Sequence, residues 1–347
     1  MSALQVALVA VAAVVSWYLT DRVRHYALAS ALLDIPNERS AHDRPVPRGG
    51  GLAIVLVSLA GTLVAALLSW IAPRTAIALL GAVPVAWIGW MDDRHDVPAS
   101  RRALVHVASA AWAVWFLDGL PAFRFGEMRV PLGVAGPPLA ILGIVAATNF
   151  FNFMDGIDGL AAGEAVAAGG VAGALLILLG SPGLGFLTLV LSAASFGFLT
   201  WNREPARIFM GDIGSGYLGF MLAVLALASE RTNALPLVLW ALILGVFIFD
   251  PLVTVLRRLV MGERLHVAHR AHAYQRAVQS GVSHTGVSVV AMLTTVALGA
   301  LAALAAWRAQ LSLIACLAGV VLLSALYLAV ERRRPMRTLR TTRAPSL

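Results

Sequence analysis

Asn149, Asn152, Asp155 and Asp158 recur at every third position of one short segment that ends at Gly159. On a helix this spacing places all four on one stripe, and the segment holds no arginine to neutralise them. Such a row calls for an external cation. Mg²⁺ suits hard oxygen ligands of this kind and retains waters and phosphate oxygens, whereas a calcium loop needs acids at alternate positions and a distal Glu. Asp92 and Asp93 form a second acidic feature directly after an apolar run. Adjacent acids repel, and each needs a cation or a proton. Either they pair structurally with Arg94, Arg101 or Arg102, or they form a carboxylate pair near Mg²⁺ in which one acid acts as a base. Asp212 opens a third segment, and residues 214–219 match G-x-G-x-x-G literally. A dinucleotide fold would need a preceding strand and a βαβ unit, and here the pattern opens an apolar helix. What remains is a helix start that attracts anions, with Asp212 either capping it or holding a metal against a phosphate.

The basic groups are gathered in two other segments. Asn37, Arg39, His42, Arg44 and Arg48 lie among Pro36, Pro45 and Pro47, just before Gly49, Gly50 and Gly51. The prolines forbid a continuous helix, and the glycines let backbone approach a ligand; the alternative is an ordinary basic loop. His266, His269 and His272 alternate with Arg264, Arg270 and Arg276, followed by Tyr274 and Gln275. Zinc could bind three histidines, but these fan around a helix and the intervening arginines repel a cation. A phosphate or pyrophosphate satisfies both residue types through charge-assisted hydrogen bonds. All 26 basic residues are arginine, a planar donor fork that never deprotonates.

The elements that must position these residues are membrane helices. The chain of 347 residues is 59% hydrophobic and 13% charged, with a mean hydropathy of +0.83, where a soluble domain carries about 25% charged residues. This excludes a secreted disulfide module, a cytosolic enzyme and a sizeable nucleic-acid domain. The lone Cys316 excludes a disulfide framework. Apolar stretches at 3–20, 50–70, 75–91, 103–118, 136–152, 160–180, 184–200, 214–229, 235–256, 285–306 and 310–330 read as eleven spans of an all-α polytopic membrane protein. The first lacks the basic leader of a cleaved signal peptide. Alternate connections 21–49, 92–102, 149–159, 201–213 and 257–284, with the tail from 331, hold 21 arginines, none of them in 149–159, and the opposite connections hold 5. The positive-inside rule then puts the N-terminus outside and the C-terminus in the cytoplasm. The expected organisation is a single transmembrane helical catalytic domain, 1–330, with five cytoplasmic loops, and a basic cytoplasmic tail, 331–347. Every segment with chemistry falls on the cytoplasmic side.

Taken in order, Pro36-Asn-x-Arg-Ser-x-His42 with Pro47-Arg-Gly-Gly-Gly, Asp92-Asp93, Asn149-x-x-Asn152-x-x-Asp155-Gly-Ile-Asp158-Gly-Leu, Met210-Gly-Asp212-x-Gly-Ser and the late His/Arg loop resemble the polyprenyl-phosphate N-acetylhexosamine-1-phosphate transferases. That family includes the initiating enzymes of O-antigen, enterobacterial common antigen and teichoic acid synthesis, and the phospho-MurNAc-pentapeptide transferase of peptidoglycan. The likeness runs from about residue 34 to 276. It implies that Asp92 and Asp93 activate the lipid phosphate and that Asn152 and Asp212 hold Mg²⁺, for which Mn²⁺ can substitute, with Asp155 and Asp158 alongside as catalytic acids. Asn37, Arg39, His42, Arg48, Asn149, His266, His269, Arg270 and His272 are the expected substrate contacts. The peptidoglycan enzyme typically carries three consecutive histidines in the last loop, where this chain has His-Arg-x-His-x-Tyr-Gln at 269–275, closer to the O-antigen-initiating branch.

The resemblance implies transfer of a sugar-1-phosphate from a UDP-sugar to undecaprenyl phosphate, with release of UMP, at the bacterial inner membrane. UDP-GlcNAc, UDP-FucNAc and UDP-QuiNAc are the candidate donors. Membrane lipid is a partner, nucleic acid is not, and a homodimer is a candidate assembly. The alternatives are a MurNAc-pentapeptide substrate and, in another class, a transporter of anionic lipids or sugars. Transporters place polar sites near the midplane on broken helices, whereas here mid-span ionisable residues are confined to Asp250, His106 and Glu164.

Overall fold

The computed structural model describes residues 1–36, 44–263 and 269–336. Asn37, Arg39, His42 and His266 lie outside the described residues. The helices are α1 (Ala3–Ala29), α2 (Gly51–Leu67), α3 (Pro73–Leu79), α4 (Ala82–Asp92), α5 (Ala99–Phe116), α6 (Gly136–Met154), α7 (Leu160–Leu178), α8 (Pro182–Asn202), α9 (Asp212–Arg231), α10 (Leu237–Ile243), α11 (Gly245–Val260), α12 (Ala273–Gln279), α13 (His284–Trp307) and α14 (Ser312–Arg333). The only strands among the described residues form two short antiparallel hairpins: β1 (Leu33–Asp34) with β2 (Val46–Pro47), and β3 (Ala122–Phe125) with β4 (Met128–Pro131).

Each apolar stretch read from the sequence carries helix. Eight helical stretches among the described residues are long and apolar enough to cross a membrane, and the α10–α11 pair, bent by 83°, makes a ninth. The chain is therefore an all-α, multi-pass membrane protein. Two expected spans fall short of that measure. Helix α2 has 17 residues, and α5 is diluted by Arg101, Arg102 and His106. The α3–α4 span breaks at Leu80–Gly81 because Pro84 has no N–H to donate to the Leu80 carbonyl and its ring crowds that turn.

Helix α9 is the axis of the bundle, with 89% of its apolar window buried, while α1 and α14 are 22% and 11% buried. Helices with so much apolar surface left bare face lipid. At one end of the bundle the connections knit together. The Phe209 amide donates to the Pro47 carbonyl (2.8 Å), and Gly50 and Gly51 donate to the carbonyls of Phe209 and Met210 (both 2.9 Å). The segments read as one-sided in the sequence thus meet at one end. The opposite end has its own clasp: buried Glu230 accepts from Arg124 Nε (3.0 Å) and from the Leu237 amide (2.8 Å). The last helix continues to Arg333, past the expected boundary at 330.

Candidate active site

The start of α9 and the end of α4 are fitted against each other by two glycines. A side chain at Gly89 would run into the Asp212 backbone, and one at Gly211 would run into the Asp93 carboxylate. Gly211 also takes φ +76°, in the left-handed region. In that recess Asp93 Oδ1 accepts from the Asp212 amide (3.0 Å) and Oδ2 from the Ile213 amide (3.2 Å). The carboxylate therefore caps α9, where helix N–H groups lack internal partners and negative charge is stabilised. Asp93 is only 3% exposed. Burial pushes it up to about 6, against the pull of those amides and of Arg48. Arg48 binds the Asp93 main-chain carbonyl and reaches that of Asp92 at 3.4 Å, tying the first loop to the acidic pair.

Asp92 turns the other way. Its Oδ1 accepts from the Val97 amide (2.7 Å), and its Oδ2 binds Arg102 Nη1, which also reaches Asp212 Oδ2 at 2.9 Å. Asn152 Nδ2 donates to Asp212 Oδ1 (2.9 Å) and to Ser215 Oγ (3.0 Å). Four elements, α4, α5, α6 and α9, thus converge on one polar knot. Asp92, Asp93, Asn152 and Asp212 are brought together here.

The stripe predicted from Asn149 to Asp158 is corrected. Helix α6 stops at Met154, because Gly156 leaves room for the Tyr274 hydroxyl, which donates to the Phe153 carbonyl (3.0 Å). Asp155 sits at this break, and no hydrogen bond or ion pair among the described residues reaches its carboxylate. Burial pushes Asp155 up to about 7, helped by repulsion from Asp93 and Asp158. Asp158 leaves the row: its Oδ2 accepts from the Ala206 amide (2.9 Å), and its Oδ1 lies 3.5 Å from His284 Nδ1 on α13. Asn149 donates back to the Val145 carbonyl of its own helix (2.7 Å) and does not join the knot.

The late basic loop is brought to the same end. His272 Nδ1 lies 3.4 Å from Asp250 Oδ1, and Asp250 accepts from the amides of Ala273 (2.8 Å) and Tyr274 (3.0 Å) and from the Thr254 hydroxyl (3.0 Å). The intramembrane acid is thus the cap of α12. The His269 ring lies 4.9 Å from that of His272, tilted by 34°, and burial with the nearby His272 and Arg258 pushes His269 down to about 4, so it is neutral at pH 7. Arg270 lines a basic cavity beside it.

A divalent ion fits the donor chemistry of the knot. Two carboxylates, Asp92 and Asp212, lean on one guanidinium nitrogen, and Asn152, its amide nitrogen already engaged, offers a carbonyl oxygen. No group of three or more His, Cys, Asp or Glu is gathered around one point among the described residues. Mg²⁺ does not require one, since it is usually held by one or two carboxylates with water and substrate phosphates. Sequence reasoning weighed Arg102 only as a structural partner, named Tyr274 without a structural role and passed over His284. The signal for Arg102 was available: an arginine within the first turns of an apolar helix needs a nearby acid.

Residues 75–230 match the glycosyl transferase family 4 profile. The chain is 31% identical to a probable undecaprenyl-phosphate N-acetylglucosaminyl 1-phosphate transferase of Bacillus subtilis, over 77% of this chain and 75% of the relative. It is 31% identical to a decaprenyl-phosphate N-acetylglucosaminephosphotransferase of Mycobacterium tuberculosis, over 81% and 78%. A phospho-N-acetylmuramoyl-pentapeptide-transferase of Synechococcus is 28% identical over 71% and 70%. The acidic knot lies largely within the matched segment, and by these likenesses the chain belongs to glycosyl transferase family 4, as a membrane glycosyl-1-phosphate transferase.

Proposed function

We propose that the chain transfers N-acetylhexosamine-1-phosphate from a UDP-sugar to undecaprenyl phosphate on the cytoplasmic side of the bacterial inner membrane, with Mg²⁺, and thereby initiates an O-antigen or related envelope polysaccharide. The observation that carries this reading is the convergence of Asp92, Asp212, Asn152 and Arg102 at one bundle end, beside Asp155 and the His/Arg loop. An oxygen of the lipid phosphate attacks the β-phosphorus of the donor, the bond to the bridging oxygen of the α-phosphate breaks, and UMP leaves with that oxygen. Both reactants are anions, so catalysis consists of positioning and charge neutralisation. When bound at Asp212 and Asn152, with Asp92 adjacent, Mg²⁺ supplies charge neutralisation for the pyrophosphate. Arg48, Arg270 and His272 are donors for the remaining phosphate oxygens.

The roles of the acids divide by their surroundings. Both oxygens of Asp93 are taken by the α9 amides, which suits a positioning role. Asp155, unpaired among the described residues and held up to about 7, suits acceptance of a proton from a monoprotonated lipid phosphate. Asp158, tied to Ala206 and facing His284, holds the turn that presents Asp155. The arginine asymmetry of 21 against 5 supports eleven spans, a cytoplasmic site, residues 1–330 as one catalytic domain and 331–347 as a cytoplasmic tail. The Tyr274-Gln275 pair in place of consecutive histidines favours a UDP-HexNAc over a MurNAc-pentapeptide donor. The test is to incubate purified protein with Mg²⁺, undecaprenyl phosphate and a panel of UDP-N-acetylhexosamines and to measure UMP. Absence of UMP with every donor overturns the proposal.

A further inference from the structure

The last helix ends in a clasp that the transfer reaction does not use. Glu331 on α14 accepts from both terminal nitrogens of Arg257 (2.7 and 3.1 Å), from Arg276 Nη1 (2.6 Å) and from the Met336 amide (3.1 Å). Arg276 Nη1 also donates to the Arg334 carbonyl (2.8 Å), and Arg276 Nε donates to the Ala271 carbonyl (3.1 Å). Residues 334–336 are therefore folded back onto α12, and Met336 is buried there. Between the two lies a cavity of about 440 Å³, whose charged lining consists of Arg270, Arg276, Arg333 and Arg334 against one carboxylate, Glu263, with His269 at its side.

The guanidinium of Arg276 defines what this cavity can take. The residue is 2% exposed, two of its nitrogens are pinned as above, and the third, Nη2, is buried without a hydrogen-bond partner among the described residues. A buried charged donor left unpaired is costly, and an anion held in the cavity would offer it a partner. Arginine forks match the geometry of phosphate. None of Asp92, Asp93, Asn152, Asp155 or Asp212 lines the cavity, so it lies apart from the acidic knot and meets the proposed transfer site only through His269 and Arg270 of the late loop. Arg333 also lines an adjoining apolar cavity of about 380 Å³ between α11, α12, α13 and α14, bordered by Val287, Val290, Leu323 and Tyr327. A basic recess that shares a residue with an apolar one matches the headgroup and chain of an amphiphile.

We propose that the seam between α12 and the end of α14 is a second anion site that binds a phosphate group, in the form of the headgroup of an anionic membrane lipid. A soluble phosphate ester would present the same chemistry, so the test has an arm for each source. The purified full chain in detergent is examined by native mass spectrometry with phosphatidylglycerol, with phosphatidylcholine and, separately, with inorganic pyrophosphate. The variant is the double substitution Arg333→Gln, Arg334→Gln. Both side chains are exposed, so folding is retained, and neither belongs to the proposed transfer site. The expected result is retention of phosphatidylglycerol over phosphatidylcholine by the wild type and about tenfold weaker retention by the variant, the loss of roughly one charge-assisted contact. Pyrophosphate bound by the wild type and lost in the variant, without lipid selectivity, assigns the same site to a soluble phosphate. Equal retention of every probe by wild type and variant, or retention of none, overturns the proposal. The readout is binding, so a failed transfer assay leaves it standing, and unchanged UMP release in the double variant separates this site from the first.

Discussion

Arg102 Nη1 lies 2.9 Å from Asp212 Oδ2 while binding Asp92 Oδ2, so one nitrogen of α5 serves two acids from two other helices. The cation that balances this pair is the protein's own. A divalent ion bound to the same carboxylates has to compete with it. Replacing Arg102 by Ala leaves two like charges uncompensated and is expected to tighten Mn²⁺ binding by about tenfold, the effect of roughly 1.4 kcal/mol. Mn²⁺ titration followed by electron paramagnetic resonance checks this without any turnover. An unchanged or weaker affinity would show that Arg102 is not the competing counter-ion.

Asp212 and Asp93 separate a charge-bearing role from a structural one. Asp212→Asn keeps the size of the side chain but removes the negative charge. Loss of one charge-stabilising contact typically costs 10²–10³ in rate, so UMP release should fall by about that factor with little change in the melting temperature. Asp93→Ala instead strips two amides of their acceptor at the start of α9. Loss of a helix cap costs about 0.5–2 kcal/mol, so this variant should melt at a lower temperature as well as lose activity. Thermal denaturation of both variants in detergent distinguishes the two outcomes.

The acids at the site also predict the response to pH. Asp155 is held up to about 7 and Asp93 to about 6, so without metal these carboxyls take up protons well above their ordinary range. In the metal-free protein the folded state binds a proton between about pH 4 and 7 that the unfolded state does not, so stability falls as pH rises through that window. A divalent ion needs the carboxylates free, so Mn²⁺ affinity should rise from pH 6 to pH 8. Asp155→Asn should flatten both dependences. If the Asn variant keeps the wild-type slopes, Asp155 is not the titrating group.

Much of this arrangement was readable before any coordinates, and the limits are physical. About 20 apolar residues in a row must form a helix in lipid, because no other partner exists for the backbone, so each apolar stretch carries helix. Asp92, Asp93, Asn152 and Asp212 come together because each ends or opens a helix at the same bundle end. The stripe through Asp158 was not legible, because α6 is ended by a distant residue: the Tyr274 hydroxyl takes the Phe153 carbonyl at the gap left by Gly156. Asp250 looked like an isolated intramembrane acid because its partners, the amides of Ala273 and Tyr274, lie more than twenty residues downstream. Periodicity describes a helix and is silent about what meets its end.

Tyr274 therefore offers the most direct test of how the late loop is held. Its hydroxyl is the link from α12 to the end of α6, and burial keeps it protonated, well above the ordinary tyrosine range, so it acts as a donor at every working pH. Tyr274→Phe removes that single donor and leaves the ring in place. A buried hydrogen bond contributes about 0.5–1.5 kcal/mol, so the melting temperature should drop by a few degrees at most. The larger effect is on position: the Asp155 turn and the His269–His272 loop lose their shared anchor. KM for the UDP-sugar should rise severalfold while kcat changes less, because the acidic knot of Asp92, Arg102 and Asp212 does not depend on Tyr274. A drop confined to kcat, with KM unchanged, would instead make the hydroxyl a participant in the transfer step.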